Sequence, residues 1–401
     1  MLKFIPTILG SLFLLLSFTS FFLSLWIFIP APTVALMTLS VGMPEISPWL
    51  LLVNLGLAIA LLLFAILFGF RWTIWLSLLL ITAAFVMAMT PLMQFQRVQN
   101  NADRAMHAVV ENHQVPEIVQ AQWRSSPFVL SDAFGGIAKR AIRTRSGITF
   151  GTPDGVDLKL NVYQPEKVGN YPAIVVIHGG AWQRGNANQD AAFNQYMAAQ
   201  GYVVWAITYR HAPKYHFPAQ IDDVRSALAF IRQHAVEYET DLTRMAIMGR
   251  SAGSQLAMLA AYQASPIQFR AVVGYYGPVN LTAGYYEVPT PDPIESRSTL
   301  KAFLGGTPEE FPALYEQASP LLLAKPQLPP SLLIYGGRDH VVQSQYGRAL
   351  GTALREQGNQ AVFIEIPWAD HVFDAVFSGV SNQLALYYTE RFLGWALRSP
   401  G

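Results

Sequence analysis

A single serine stands between two glycines in Gly249-Arg250-Ser251-Ala252-Gly253, with a short apolar run before it and a helix-forming run after it. A strand that turns directly into a helix through this pattern holds its middle residue on a sharp, strained turn. The hydroxyl is then exposed beyond the end of the sheet, and the next N–H points at the same spot. The two glycines let neighbouring backbone pass close by. The chemistry so prepared is attack on a carbonyl carbon, with Ser251 as the nucleophile and the N–H of Ala252 as a donor to the oxygen that becomes negative. A serine at this place is also a common helix N-cap, so the pentapeptide needs support from the rest of the chain.

A hydroxyl is a weak nucleophile near neutral pH and needs a base to take its proton. A free imidazole titrates at about 6.5, which suits that task. His371 ends Pro367-Trp368-Ala369-Asp370-His371, just after an apolar run at 362–366. Asp339 ends Gly336-Gly337-Arg338-Asp339, just after an apolar run at 332–335. An aspartate in that position would hold one tautomer of the imidazole and stabilise its cation. Taken singly, Asp339 reads as a turn aspartate and His371 as a loop histidine. Together they follow strands in the order Ser, Asp, His. His340 adjoins Asp339, and Asp370 adjoins His371, too closely for either to serve as the other's partner. Asp374, three residues beyond the histidine, is the main competitor to Asp339. His178 opens His178-Gly179-Gly180-Ala181-Trp182 after the run at 173–177, and is expected to bond its own turn and orient that loop without moving protons.

These residues need a frame. From about residue 143, short apolar runs alternate with helical patterns. Runs at 148–150 and 156–163 flank Thr152-Pro153-Asp154-Gly155, a hairpin signal. Buried strands are expected at 173–177, 202–207, 245–248, 271–275, 332–335 and 362–366, and helices at 219–235, 251–262, 344–357 and 382–397. Such alternation predicts an α/β fold with a doubly wound, mostly parallel sheet, which the antiparallel hairpin completes to eight strands. Ligands bind such sheets beyond the carboxyl ends of the strands, where Ser251, Asp339, His371 and the His178 loop all fall.

With its HGGAW, GRSAG and GGRD motifs and a late histidine, the chain resembles the carboxylesterase branch of the α/β-hydrolase superfamily. Hormone-sensitive-lipase-like and arylformamidase-like esterases are the nearest in pattern. The resemblance covers roughly residues 145–398 and includes the segments TYRHAP, FPAQIDDVRSALAFIR and ASPL. It implies the α/β-hydrolase fold and ester hydrolysis through a covalent acyl-enzyme, with Gly179 and Gly180 supplying backbone donors beside Ala252, and no metal or organic cofactor. Two positions depart from the pattern: Arg250, where the lipase-like branch often has Asp, and Ser254, where a third glycine is usual. An amide-like bond, as in an arylformamidase or peptidase, and a catalytically inactive tethered binding domain are the alternatives.

The first ninety-odd residues have a different character. Over the 401 residues, 52% are hydrophobic and only 13% charged, too apolar for an ordinary soluble protein. The excess lies in uncharged runs at about 4–29, 49–70 and 72–93, each near the ~20 residues that cross a bilayer as a helix. Trp26 and Trp49 fall at one level, and Trp72 and Trp75 at the other, as interfacial anchors do. Arg71 marks a turn so tight that the second and third spans must be antiparallel neighbours. The expected organisation is a three-helix transmembrane region at 1–95, an amphipathic linker at 96–142 and the catalytic domain at 143–401. In the linker, Ala102, Ala105, Met106, Val109 and Val110 follow helical spacing. That helix could continue the third span, lie on the lipid surface, cover the active site or simply link. Lys3 and Arg71 on one side, and no Lys or Arg at 30–48, place the catalytic domain outside the cytoplasm; Arg97 and Arg104 argue the other way.

A net charge of +1 and no basic patch with aromatics exclude a nucleic-acid partner, and the lack of cysteine excludes disulfides and thiol nucleophiles. The partner implied is a small-molecule or lipid-like ester. Its pocket is expected from the long segment between the strands at 271–275 and 332–335, with Tyr276, Tyr285, Tyr286, Phe303 and the proline tract at 289–293.

Overall fold

The computed structural model describes residues 5–110 and 115–398. Lys3, used above for topology, lies outside them, as do Phe4, residues 111–114 of the linker and residues 399–401.

Four helices come first: α1 (Ile5–Leu25), α2 (Val34–Glu45), α3 (Ser47–Phe68) and α4 (Trp72–Val110). Three of them are long and apolar enough to cross a membrane. In α1, the Ser20 hydroxyl donates to Asn54 Oδ1 of α3 at 2.6 Å, a polar contact between two apolar helices. The tight turn at Arg71 is present, and its guanidinium donates to Thr7 Oγ1 at 3.1 Å. The connection between the first two spans, expected only as a stretch free of Lys and Arg, folds as α2. Its buried positions Ser40, Val41, Pro44 and Glu45 recur at helical spacing, but Gly42 and Pro44 weaken the pattern in the sequence.

The linker pattern resolves as a continuation of the helix formed by the third apolar run. Helix α4 runs unbroken for 39 residues. Its far end buries Val98, Ala102 and Met106 in the same apolar core as the sheet. Two short helices follow, α5 (Glu117–Gln120) and α6 (Leu130–Gly135).

The strands are β1 (Ile142–Gly151), β2 (Leu158–Pro165), β3 (Tyr171–Ile177), β4 (Val203–Ile207), β5 (Thr240–Arg250), β6 (Ala271–Tyr275), β7 (Ser331–Gly336) and β8 (Ala361–Ile366). They form one sheet in the order β1-β2-β4-β3-β5-β6-β7-β8. The pairs β1–β2 and β2–β4 are antiparallel, and all the others are parallel. The expected doubly wound, mostly parallel eight-stranded sheet is therefore present. Residues 173–177 are buried on both faces, as a central parallel strand requires. β5 begins five residues earlier than its apolar run, because polar Thr240 pairs with Tyr171 and accepts from Trp205 Nε1 at 3.0 Å.

Helices α7 (Ala191–Ala199), α8 (Ala219–His234), α9 (Ala252–Tyr262), α10 (Leu281–Tyr286), α11 (Ser296–Leu304), α12 (Pro312–Gln317), α13 (Ser344–Glu356) and α14 (Val380–Arg398) cover the sheet and build its insertion. The insertion between β6 and β7 carries α10, α11 and α12.

Candidate active site

Ser251 joins β5 to α9 with φ 50° and ψ −123°, a conformation that side-chain-bearing residues rarely adopt. The closeness of the surrounding backbone explains the flanking glycines. A Cβ on Gly249 would lie 2.1 Å from the carbonyl oxygen of Gly253, and one on Gly253 would lie 2.2 Å from that of Ile177. The Ser251 side chain caps no helix N–H, so the N-cap reading of this serine fails. Its hydroxyl faces His371 instead, 2.9 Å from Nε2.

On the other side of the ring, His371 Nδ1 lies 2.7 Å from Asp339 Oδ2. The second oxygen of Asp339 accepts the backbone N–H groups of Val341 and Val342, each at 2.7 Å. The carboxylate is thereby fixed in the turn after β7, ahead of the histidine loop. Both His371 and Asp339 are buried, at 4% exposure each. Asp370 accepts the backbone N–H of His371 at 2.7 Å and takes no part in orienting the ring. Burial raises its carboxyl above the usual range, and neighbouring Asp339 raises it further.

Asp374 has a different set of partners. It hydrogen-bonds the Arg250 guanidinium and the Tyr276 hydroxyl. Arg250 is 4% exposed, with Asp190 also near its Nε at 3.4 Å and the Phe193 ring 4.6 Å from its guanidinium carbon. Burial raises the Asp190 carboxyl, and the Arg250 charge opposes the rise. Arg250, the departure noted at the residue before the serine, is thus the hub of a buried charge cluster under the site. That odd arginine was the one signal in the sequence that Asp374 had another partner. Tyr276 links the cluster to the histidine, its ring 4.7 Å from that of His371 at 62°. The second departure, Ser254, is fully buried against Gly274 and Gly277, so its hydroxyl is out of reach of solvent.

The loop after β3 closes the site from the other side. His178 Nδ1 lies 2.7 Å from the carbonyl oxygen of Gly179, and its ring stacks on Tyr209 at 4.5 Å. Burial lowers its pKa to about 4, so the ring is neutral at pH 7. It bonds its own turn, as expected. Gly179 approaches so closely that a Cβ there would sit 3.3 Å from Ser251 Cβ, and Gly180 has φ 122°. Ala252 is the first residue of α9, where a backbone N–H has no partner within the helix. Trp182 ties the loop down in a way the sequence did not announce. Its Nε1 donates to Gln255 Oε1 at 3.0 Å, and its ring stacks on Phe303 at 4.1 Å and 7°.

These groups face a cavity of about 980 Å³. Of the pocket residues expected from the insertion, Tyr276 lines it and Phe303 supports it through Trp182. Tyr285 and Tyr286 point elsewhere: the Tyr285 ring meets Tyr315, and the Tyr286 hydroxyl meets Glu309. Leu281, Ile294 and Leu300 are the insertion's apolar contribution. The opposite wall was not foreseen at all. It comes from α2, through Val34, Met37, Thr38 and Val41 on one helical face, continued by Met43 and Ile46.

Comparison with known proteins bears on the fold and the family. Residues 160–354 match the family described as BD-FAE. Two proteins of Mycobacterium tuberculosis are similar over much of the chain. Esterase LipQ is 27% identical over 73% of this chain and 74% of its own length. Esterase LipC is 30% identical over 65% of this chain and 67% of its own. Among solved structures, an esterase from the archaeon Pyrobaculum calidifontis superposes with a TM-score of 0.57 and 24% identity, over 64% of this chain and 86% of that one. A bacterial heroin esterase gives the same score and identity over 65% and 85%. At that identity the solved structures bear on the fold alone, and the fold they share is that of α/β-hydrolases.

Proposed function

Since the chain belongs to the carboxylesterase branch of the α/β-hydrolase superfamily, we propose that it is a membrane-anchored serine hydrolase that cleaves carboxylic esters through Ser251, Asp339 and His371. The observation that carries this reading is the His371 ring, bridging Ser251 Oγ at 2.9 Å and Asp339 Oδ2 at 2.7 Å. In the first step Ser251 Oγ bonds to the ester carbonyl carbon as His371 Nε2 takes its proton. The carbonyl electrons move onto oxygen, and the N–H groups of Gly179, Gly180 and Ala252 donate to that oxyanion. One such donor typically lowers the barrier by about 3 kcal/mol. Asp339 stabilises the imidazolium. The imidazolium then protonates the departing alcohol and leaves an acyl-serine. Water, deprotonated by His371, releases the acid and restores Ser251. His178 holds the donor loop and moves no proton.

The proposed organisation keeps residues 1–95 as the transmembrane region, 96–142 as the linker and 143–401 as the catalytic domain, which lies outside the cytoplasm. The continuity of α4 supports a rigid junction between them.

A fluorophosphonate probe is expected to label Ser251 and to block hydrolysis of short p-nitrophenyl esters in step. Ser251→Ala should abolish labelling and lower turnover at least about 10³-fold, and adding His371→Ala should cost little more, because the pair acts as a unit. Hydrolysis that survives Ser251→Ala would remove the mechanism. Faster turnover of N-formyl aromatic substrates than of esters would move the reading to an arylformamidase.

A further inference from the structure

The wall that α2 contributes bears on what the enzyme acts on. This helix is the connection between two helices long and apolar enough to span a bilayer, α1 and α3. Any such connection lies at the level where both spans leave the hydrocarbon. Aromatic and apolar side chains exposed at that level agree: Phe28 at 44%, Ile29 at 43% and Trp49 at 43%. Trp49 also meets the catalytic side, its ring 4.8 Å from Phe134 and its Nε1 donating to the Ala133 carbonyl at 3.1 Å.

From residue 27 to residue 44 the chain has no charged side chain. The one at the end of α2, Glu45, is buried. A helix whose outer surface is uncharged suits the interfacial zone of a bilayer better than water. Its inner face lines the cavity that holds Ser251 and His371. Both ends of this segment are fastened to the catalytic domain. The Arg338 guanidinium hydrogen-bonds the Phe28 carbonyl, one residue away from Asp339, and the Glu45 carboxylate accepts the Ser381 N–H at 2.8 Å. One surface of α2 is therefore suited to lipid, while the other lines the cavity that holds the reacting centre.

We infer that the substrate is an ester with at least one long hydrocarbon chain, resident in the bilayer, which enters the cavity directly from the leaflet and lays that chain along Met37, Thr38 and Val41. The membrane helices are then part of the substrate site as well as its tether. A volume of about 980 Å³ is at the upper end of the roughly 300–1,000 Å³ usual for small-molecule pockets, which accommodates such a chain. This inference rests on the reading of Ser251 as the nucleophile, and its test separates the two.

The full chain is reconstituted in phosphatidylcholine vesicles with methylumbelliferyl palmitate, either in the same vesicles or in a separate population mixed in afterwards. Methylumbelliferyl butyrate, supplied from water, is the reference. Palmitate in the enzyme's own bilayer should be hydrolysed at least about tenfold faster than palmitate in separate vesicles, and at least about tenfold faster than butyrate, because each buried methylene adds to binding. Val41→Trp fills the cavity from α2 and should lower the palmitate-to-butyrate ratio at least about tenfold. Thr38→Trp, at an exposed position of the same face, makes the same test if Val41→Trp does not fold. Fluorophosphonate labelling of the same samples reports on the nucleophile. An unmodified protein that does not label loses the proposed mechanism. A protein that labels but prefers butyrate, or hydrolyses palmitate equally from either vesicle population, keeps the mechanism and overturns the inference.

Discussion

Two aspartates, Asp339 and Asp374, lie within reach of the histidine loop in sequence, and their partners separate them. Asp339 bonds His371 Nδ1, whereas Asp374 bonds Arg250 and Tyr276. Asp339→Asn keeps the shape but favours the wrong imidazole tautomer, so ester turnover should fall about 10⁴-fold with little change in folding. Asp374→Asn should act in the opposite proportion. The buried Arg250 keeps Asp190 but loses a charge-assisted hydrogen bond, costing about 2 kcal/mol of stability. Turnover should fall no more than about tenfold, since Asp374 reaches the histidine only through the Tyr276 ring. Steady-state kinetics and thermal unfolding of both variants, measured side by side, check this; a larger kinetic loss in Asp374→Asn would exchange the two roles. The expectation for Asp339 came from its place after a strand and its order in the chain, which are local signals. The Arg250 cluster was not foreseen, because its members are 60 and 124 residues apart from the arginine in sequence and only the fold brings them together.

Among the elements, the strands and major helices of the sheet were legible because each repeats a strong period. The buried parallel strands are continuous apolar runs, and α8, α9, α13 and α14 fall within a few residues of their expected bounds. Helix α2 was not legible: twelve residues with a glycine and a proline near the end give little periodicity, and what matters about it is its contacts. Its terminal Glu45 sits at the N-terminus of α14, accepting from Ser381 at 2.8 Å, where backbone N–H groups have no helical partner and a negative charge is favoured. Burial outweighs those bonds and raises the carboxyl to about 8. The sign follows: the folded state holds this proton more tightly than the unfolded chain, whose glutamate titrates near 4.5. The group's contribution to stability is full below about pH 4.5 and is lost as pH rises through about 8. Glu45→Gln keeps an acceptor for Ser381 without a titrating charge. Melting temperatures of the two proteins in detergent should therefore diverge in favour of the glutamine variant as pH rises from 5 to 8. A difference that stays constant over that range would show that Glu45 is not the titrating group.

At the scale of the whole molecule, the placement of the sheet domain against the long apolar helices sets where the proposed reaction would occur. Helix α4 continues from its long apolar stretch into the core around the sheet without a break, burying Val98, Ala102 and Met106 there. Tyr388 of α14 reinforces the junction by donating to Asp103 Oδ1 at 2.8 Å. The cavity is thus held at the end of the bundle where α1 finishes and α3 begins, opposite the Arg71 turn. Sequence alone identified the three long apolar runs, but not that the connection between the first two would roof the candidate site, since no local pattern records that residues 41 and 371 line one cavity. Under the proposed three-span organisation, Arg71 and the sheet domain would lie on opposite sides of the bilayer. Arg71, next to the tight turn and without an acidic partner among the described residues, favours the cytoplasm. The chain has no cysteine, so single thiols can be placed at will. Val236→Cys, at a position 93% exposed on the catalytic domain, should react with a membrane-impermeant maleimide in intact cells, while Arg71→Cys should react only after the cells are permeabilised. The reverse pattern would put the catalytic domain in the cytoplasm, and with it the leaflet from which the ester is drawn.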